Sequence, residues 1–178
     1  MKKLNATKLR RSEPTEEDLK KIKRNPIYFV LDEVLDTFNI GSMFRLADAT
    51  AIEKMYLCGR METPPSHRIH KAAVGTEKWI PWEHVKNSTE AVKMLKKSGV
   101  YTIAIEQDKR SIPYTKMQPK FPVAIVLGHE TTGVRKETLD LVDQIVELPM
   151  HGINISFNVW GSASVVAYKL VELLNLTE

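Results

Sequence analysis

Three short polar blocks hold most of the residues in this chain that could bind a ligand or move a proton. They are residues 39–45 (NIGSMFR), 128–133 (GHETTG) and 148–159 (LPMHGINISFNV). The third block leads from a short apolar strand through a polar loop into a helix crowded with small residues. Ser156 is the predicted N-cap of that helix, and Asn158 follows in its first turn. Since the first backbone amides of a helix lack partners, this start suits a bound ligand; a capped helix that only closes a core is the alternative.

The first block opens a predicted helix. Asn39 is expected to cap the helix, Gly41 permits a close backbone approach, and Arg45 offers a planar guanidinium. Such a group forms paired hydrogen bonds with phosphate or carboxylate. An N-cap followed by an exposed arginine is also a common structural pairing, so this block alone does not decide between function and structure.

The second block resembles half of a phosphate-binding P-loop and holds Glu130 between two glycines. Val134 and Arg135 stand where a P-loop needs Lys and Ser or Thr, so nucleotide hydrolysis lacks its key residues. The chain also has no G-x-G-x-x-G dinucleotide fingerprint and no G-x-S-x-G nucleophile turn. A turn carboxylate bonded to nearby amides is the structural alternative for Glu130.

Apolar β-rich runs alternate with helical patterns, which predicts an α/β fold. The strands are expected at 27–34, 54–58, 100–106, 123–127 and 144–148, and the helices at 40–51, 89–97, 135–142 and 157–174. This alternation favours a mostly parallel sheet covered by helices on both faces. The ligand of such a sheet lies beyond the carboxyl ends of the strands, where all three polar blocks fall.

Positive charge is concentrated at the N-terminus. Residues 1–24 carry nine Lys or Arg against four acids, whereas the whole chain has a net charge of +4. A basic arm on a nearly neutral body attracts a phosphate backbone, because neutralised phosphates release counterions. A solvated arm that only keeps the protein soluble is the alternative, with Thr15 as the cap of a short helix within it. We divide the chain into this basic arm, 1–24, and one globular domain, 25–178.

Composition narrows the classes of protein to which this chain can belong. At 178 residues and 43% hydrophobic content, the chain suits one compact domain. It has no apolar run near the about 18 residues of a membrane span and no N-terminal apolar signal segment, so we expect a cytoplasmic protein without a membrane anchor. Cys58 is the only cysteine and the histidines are scattered apart from His67 and His70, so we expect no metal.

Taken in order, N-x-G-x-x-x-R, G-x-E-x-x-G and LPM-H-G with S-F-N-V resemble the three motifs of the SpoU/TrmH family of RNA ribose 2′-O-methyltransferases. The resemblance covers residues 27–174. It implies a SPOUT α/β fold with a C-terminal deep trefoil knot, a homodimer, and S-adenosyl-L-methionine bound by the knotted loops. Without it, the rule that chains avoid threading would favour a plain doubly wound sheet.

The resemblance also assigns roles to residues. The catalytic candidates are Arg45, Asn39, Glu130, Ser156 and Asn158. The cofactor-binding candidates are Leu127, Gly128, Glu130, Gly133, Leu148, Pro149, Met150, Ser156, Asn158 and Val159. Phe157, Trp160 and His129 depart from the residues usual in the family, and Trp160 is expected to change the pocket edge or the dimer seam.

The implied reaction suits these residue types. Methyl transfer from a sulfonium to a ribose hydroxyl is an in-line displacement, so the enzyme must align two partners and help a proton leave. No metal is required. A guanidinium stays protonated and is a poor base, so we expect Arg45 to hold an adjacent RNA phosphate and thereby position the hydroxyl.

The segment 60–79 follows the second strand as a long predicted loop rich in Pro, His and basic residues. Its RNA-binding candidates are Arg60, His67, Arg68 and Lys71, joined by Arg10 and Arg11 of the arm. A surface loop with incidental charges is the alternative.

The favoured target is a D-loop guanosine of tRNA. An rRNA target and a catalytically silent RNA-binding protein of the same fold, hinted at by Trp160, stay open, while a Rossmann-type metabolite enzyme is disfavoured.

The last predicted helix carries an apolar seam. Val159, Ala163, Val166, Leu170 and Leu173 are spaced by four, three, four and three residues, as in a coiled coil. A buried core helix explains this seam without a partner. The family resemblance adds a dimer in which such helices pack across the interface.

Overall fold

The computed structural model describes residues 13–175. In chain order the elements are α1 (Glu16–Lys20), β1 (Asn25–Asp32), α2 (Thr37–Ala49), β2 (Ile52–Cys58), α3 (His67–Ala73), β3 (Trp82–Val85), α4 (Ser88–Lys97), β4 (Tyr101–Ile105), β5 (Ile112–Pro113), β6 (Val123–Gly128), α5 (Lys136–Leu139), β7 (Gln144–Glu147) and α6 (Val159–Asn175). Single 3₁₀ turns lie at Thr76–Lys78 and Tyr114–Lys116.

Within the described residues, seven strands form one sheet in the order β3-β2-β1-β6-β4-β7-β5, and every pairing between them is parallel. The predicted α/β fold is therefore confirmed. Parallel pairing places all the carboxyl ends at one edge, and Asp32 at the end of β1 lies opposite Gly128 at the end of β6. The segments that lead from these strands into the first and second polar blocks thus start side by side.

The side chains of the central strands contribute alternately to two separate hydrophobic cores, because successive residues of a strand point to opposite faces of the sheet. On one face, Phe29 and Leu31 of β1 belong to a buried cluster with residues of α2, α3 and α6. On the other face, Val30 of β1 belongs to a cluster with residues of α4 and α5. Helices therefore cover both faces of the sheet, as the sequence predicts.

The segment 60–79 is not the long loop that the sequence predicts. It contains α3 and a 3₁₀ turn, and the short strand β3 follows. The Oγ of Ser66 caps α3 by accepting the N–H of Ile69 at 3.3 Å. Both elements escaped the sequence pattern because they are short: α3 buries only Ile69 and Ala73, and β3 buries only Val85.

The predicted N-terminal helix cap is confirmed. Thr15 and Asp18 form a capping box at the start of α1, each side chain accepting the backbone N–H of the other. Further along, the guanidinium of Arg24 donates to the carbonyl oxygens of Ile52 and Trp79 at 2.9 and 3.2 Å. The last residue of the predicted basic arm is thus attached to the body of the protein.

The described residues contain no helix that is long and apolar enough to cross a membrane. In residues 13–175, no three His, Cys, Asp or Glu side chains converge on a possible metal site. Cys58 lies in the core, and burial raises the pKa of its thiol to about 12. The C-terminal knot and the homodimer stay predictions.

Candidate functional site

One chain of side-chain hydrogen bonds joins the three polar blocks. The amide nitrogen Nδ2 of Asn39 donates to Oε1 of Glu130 at 2.9 Å. The Oδ1 of Asn39 accepts from Nδ2 of Asn158 at 3.1 Å. These residues lie 91 and 119 positions apart in the sequence. The fold therefore brings the blocks together at the carboxyl edge of the sheet, as the sequence predicts.

Glu130 receives three hydrogen bonds from the segment that opens α2. Besides Asn39, the backbone N–H of Asp36 donates to Oε1 at 3.0 Å, and that of Leu35 donates to Oε2 at 3.1 Å. Burial alone raises the pKa of Glu130, but these hydrogen bonds to the ionised form outweigh it and leave the pKa below its usual value. The carboxylate is therefore charged at neutral pH and ties the second block to the first.

The predicted capping role of Asn39 is wrong. α2 begins two residues earlier, at Thr37, and Asp36 caps it by accepting the N–H of Phe38 at 2.9 Å. Asn39 therefore lies inside the first turn of the helix, where its side chain is 1% exposed. Because Asp36 supplies the cap, the amide of Asn39 is free to bond with Glu130 and Asn158.

The predicted capping role of Ser156 is also wrong. α6 begins at Val159, and Asn158 is its cap, since its Oδ1 accepts the N–H groups of Trp160 and Gly161 at 3.0 and 3.4 Å. Ser156 is exposed and contributes instead to the wall of a cavity. Both residue types are good caps, and the one directly before the helix takes the role.

A cavity of about 220 Å³ opens at the carboxyl ends of β4, β6 and β7. It is lined by Ile105, Glu106, Gln107, Leu127, Gly128, His129, Glu130, Thr131, Gly133, Glu147, Leu148, Met150, Ile155, Ser156, Phe157, Val159 and Ser162. Of the predicted cofactor-binding residues, Pro149 and Asn158 are absent from this wall. Pro149 lines an adjoining cavity of about 250 Å³, and Asn158 is exposed and donates to Asn39.

The second block forms a tight turn that side chains would fill. The backbones of His129 and Gly133 bond to each other in both directions, at 3.2 and 2.9 Å. A Cβ at Gly128 would lie 2.1 Å from the carbonyl carbon of Gly133 and from the nitrogen of Val134. Gly133 has a φ of +68°, which favours glycine. These glycines let the turn close beside the cavity.

A second tie holds this turn to the end of β1. Asp32 is 1% exposed, and its carboxylate faces the guanidinium of Arg135, with Nε 3.0 Å from Oδ1. The backbone N–H of Arg135 donates to Oδ2 of Asp32 at 3.1 Å, and Nη2 lies 3.1 Å from Oε1 of Glu33. Arg135, which occupies a position that a P-loop gives to a hydroxyl residue, has a structural role here.

Arg45 is not among the residues that line the cavity. It lies on α2 six positions after Asn39, is exposed, and forms no ion pair within residues 13–175. Gly41 does permit a close approach, but the approaching group is α3: a Cβ at Gly41 would lie 2.5 Å from Cβ of Ala72 and 2.7 Å from the carbonyl oxygen of Ile69.

The RNA-binding candidates of the described segment share one property, which is exposure: Arg60, His67, Arg68 and Lys71 all lie on the surface, the last three on α3. His70 pairs with Glu77, with 2.6 Å between Nδ1 and Oε1. Arg10 and Arg11 lie outside the described residues.

Sequence patterns missed several lining residues, foremost Glu106 and Gln107. Both follow the end of β4. The position itself was a usable signal, because ligands of parallel sheets bind beyond the carboxyl ends of strands. Neither residue belongs to a recognised motif, so pattern matching passed over them.

A parallel α/β sheet that is covered by helices on both faces and has a cavity at its carboxyl edge belongs to the class of α/β proteins that bind small ligands at that edge. The chain belongs to the SpoU rRNA Methylase family, whose model matches residues 26–168.

Individual relatives include both rRNA and tRNA enzymes. The chain is 30% identical over 167 residues to the 23S rRNA (guanosine-2′-O-)-methyltransferase RlmB of Nitrosomonas europaea, covering 92% of this chain and 62% of that protein. It is 25% identical over 151 residues to the tRNA (guanosine(18)-2′-O)-methyltransferase of Borreliella burgdorferi, covering 84% and 68%. The chain spans 60% to 62% of the length of several of the curated relatives it matches.

Solved structures share the fold. The TrmH/SpoU tRNA modifying enzyme of A. aeolicus superposes with a TM-score of 0.81 at 23% identity, over 91% of this chain and 85% of that one. An AdoMet-bound rRNA methyltransferase from Sinorhizobium meliloti gives a TM-score of 0.78, also at 23% identity, over 86% of this chain and 58% of that one.

Proposed function

We propose that this chain is an RNA methyltransferase that transfers a methyl group from S-adenosyl-L-methionine to a ribose 2′-hydroxyl. The observation that carries the proposal is the hydrogen-bonded chain Glu130–Asn39–Asn158, which assembles three distant motifs beside one cavity. Membership of a methylase family supports it, as do relatives whose names specify guanosine 2′-O-methylation.

The cavity suits the donor in two ways. The glycine-walled turn of residues 128–133 and the loop of residues 148–158 offer backbone groups to a polar ligand, while Leu127, Leu148 and Val159 supply apolar walls. Bound there, S-adenosyl-L-methionine would provide an activated methyl group. The protein's own task is to align the hydroxyl with that methyl and to let a proton leave.

Arg45 remains our candidate for gripping the RNA phosphate next to the target ribose. Arg45 is exposed and does not line the cavity in this chain, which fits a role completed in a homodimer, where a second copy brings the two together. Exposed apolar side chains at the starts of α2 and α6, among them Phe38 and Trp160, offer a surface for such a partner.

The RNA target has two candidates. We favour a D-loop guanosine of tRNA, in line with the Borreliella relative, and we retain rRNA because of the Nitrosomonas relative. A cytoplasmic location accords with either target. Methylation of purified tRNA and of rRNA fragments in parallel, followed by mapping of the 2′-O-methyl positions, distinguishes the two.

Ligand-dependent melting tests the proposal. S-adenosylhomocysteine and S-adenosyl-L-methionine should raise the melting temperature, whereas NAD and ATP should not, because only ligands of the native state stabilise it. Transfer of a labelled methyl group to RNA would complete the test. Donor binding without transfer to any cellular RNA would favour the silent RNA-binding alternative.

A further inference from the structure

Glu106 is a carboxylate fixed in the cavity wall. It follows β4 directly, and its Oε1 accepts the backbone N–H of Gln107 at 2.9 Å. Its Oε2 accepts the N–H of Val134 at 2.8 Å. A Cβ at Gly133 would lie 2.1 Å from that same Oε2, so the carboxylate occupies space that only glycine leaves open. These contacts set its position before any ligand arrives.

The charge of Glu106 has no partner among the described residues. No Lys or Arg lines the cavity, and Arg135, which directly follows Val134, pairs instead with Asp32 and Glu33. His129, in the same cavity wall, accepts the backbone N–H of Thr131 at Nδ1. Glu130, by contrast, already serves the three donors of residues 35, 36 and 39.

The proposed donor and its product differ in charge. S-adenosyl-L-methionine is a sulfonium cation; when the S–CH₃ bond breaks, its electron pair returns to sulfur and leaves a neutral thioether of the same shape. The methyl forms a bond to the ribose oxygen, whose proton passes to water or to a phosphate oxygen. A fixed carboxylate in a partly enclosed site is attracted to the first state more than to the second.

On the basis of the proposed function, we infer that Glu106 is a specificity-determining residue that favours the cationic donor over the neutral product. A carboxylate accepts up to about four hydrogen bonds, so the two backbone contacts leave Glu106 able to interact with a ligand. The role is electrostatic, and it lies outside the three motifs.

Isothermal titration calorimetry, which measures the affinity of the protein for each of three ligands, tests this inference. The ligands are S-adenosyl-L-methionine, sinefungin, which carries a protonated amine in place of the methylated sulfur, and neutral S-adenosylhomocysteine. Glu106→Gln should raise the dissociation constants of both cationic ligands about tenfold relative to that of the neutral one. This is the effect expected when one nearby charge is lost from a partly screened site. An equal loss for all three ligands would show that Glu106 supports the turn or contacts a group that the ligands share, and would overturn the inference.

Two further variants complete the design. Glu106→Asp keeps the charge and should therefore keep most of the preference for cationic ligands. This holds even if its shorter side chain disturbs the turn and lowers the affinity for all three ligands. Glu147→Gln removes a different carboxylate of the same cavity. If it changes the ratio of cationic to neutral ligand affinity as much as Glu106→Gln does, the effect belongs to the charge of the whole cavity wall, and a special role for Glu106 is contradicted. Wild-type protein that binds none of the three ligands would refute the proposed function itself, whereas binding with an unchanged ligand ratio in Glu106→Gln refutes the inference alone.

Discussion

Asn39 shows why a single amide stands at the centre of this site. Its Nδ2 donates to the carboxylate of Glu130 and its Oδ1 accepts from Asn158, so a buried side chain satisfies a donor and an acceptor at once. An aspartate there would place a second negative charge against Glu130, and an alanine would leave both neighbours without this partner. The chemistry of the position therefore selects asparagine.

Arg45→Ala should leave the affinity for S-adenosylhomocysteine unchanged but remove most of the methyl-transfer activity, because the side chain does not line the cavity that we propose for the donor. Titration calorimetry and a labelled-methyl assay on the same preparation measure the two effects. Arg45→Lys, which keeps the charge without the planar fork, should retain intermediate activity. Normal turnover in the alanine variant would exclude Arg45 from the mechanism.

Glu130 should make stability depend on pH in the acid range. Its pKa is lowered in the folded state, so its contribution to the free energy of unfolding is present above the ordinary value of 4.5 and is lost as the pH falls through the folded pKa. Glu130→Gln should lower the free energy of unfolding by about 1 kcal/mol at pH 7, since solvent screens this exposed group. Denaturant titrations from pH 3 to pH 7 should then show a flatter dependence for the variant, and parallel curves would contradict this assignment.

The helix α2 positions the site because neighbours hold it on several sides. Residues 39–44 are all buried, and Gly41 lets α3 approach so closely that any side chain would meet its backbone. Two carboxylates fix the turn after β6: Glu130 bonds to the start of α2, and Asp32 bonds to Arg135. Helix packing and these ties together hold the motif residues in place.

Gly41→Ala should destabilise the protein by about 1–3 kcal/mol, the usual cost of overpacking, since the added Cβ would lie 2.5 Å from Ala72 and 2.7 Å from the carbonyl oxygen of Ile69. Chemical denaturation measures the change. Gly152→Ala is the matched control, because a Cβ there meets nothing within 4 Å. Equal stability of the two variants would show that α2 and α3 separate at little cost.

At the scale of the whole molecule, exposed basic residues of α3 stand on the same face of the sheet as the first motif. His67, Arg68 and Lys71 are exposed on α3, which packs against α2 in one hydrophobic cluster. We therefore expect the phosphates of a bound RNA to lie along α3. The basic residues of α4 lie over the opposite face.

Neutralising Arg68 and Lys71 together should weaken RNA binding and reduce the salt dependence of the binding constant, by about 0.7–0.9 in log–log slope for each RNA phosphate that the protein no longer neutralises. Binding measured across a salt series gives the slope. Lys93→Ala with Lys97→Ala is the control, because these exposed lysines belong to α4 on the other face. The same slope in both double variants would place the RNA elsewhere.

Local patterns in the sequence determined the strands β1, β2, β4, β6 and β7, the long helices and the three polar blocks at the carboxyl edge. They did so because strand alternation, helix periodicity and turn glycines act over a few residues. The short elements α3 and β3 escaped because each buries too few side chains to leave a pattern.

Only the tertiary structure decided which polar residues cap the helices and which form hydrogen bonds within the site. Asp36 caps α2 and Asn158 caps α6, whereas Asn39, which the sequence offers equally as a cap, bonds instead to Glu130, 91 positions away. The place of Glu106 in the cavity wall likewise depends on the turn at Gly133. Such contacts arise from the packing of distant segments, and residue type and local spacing do not encode them.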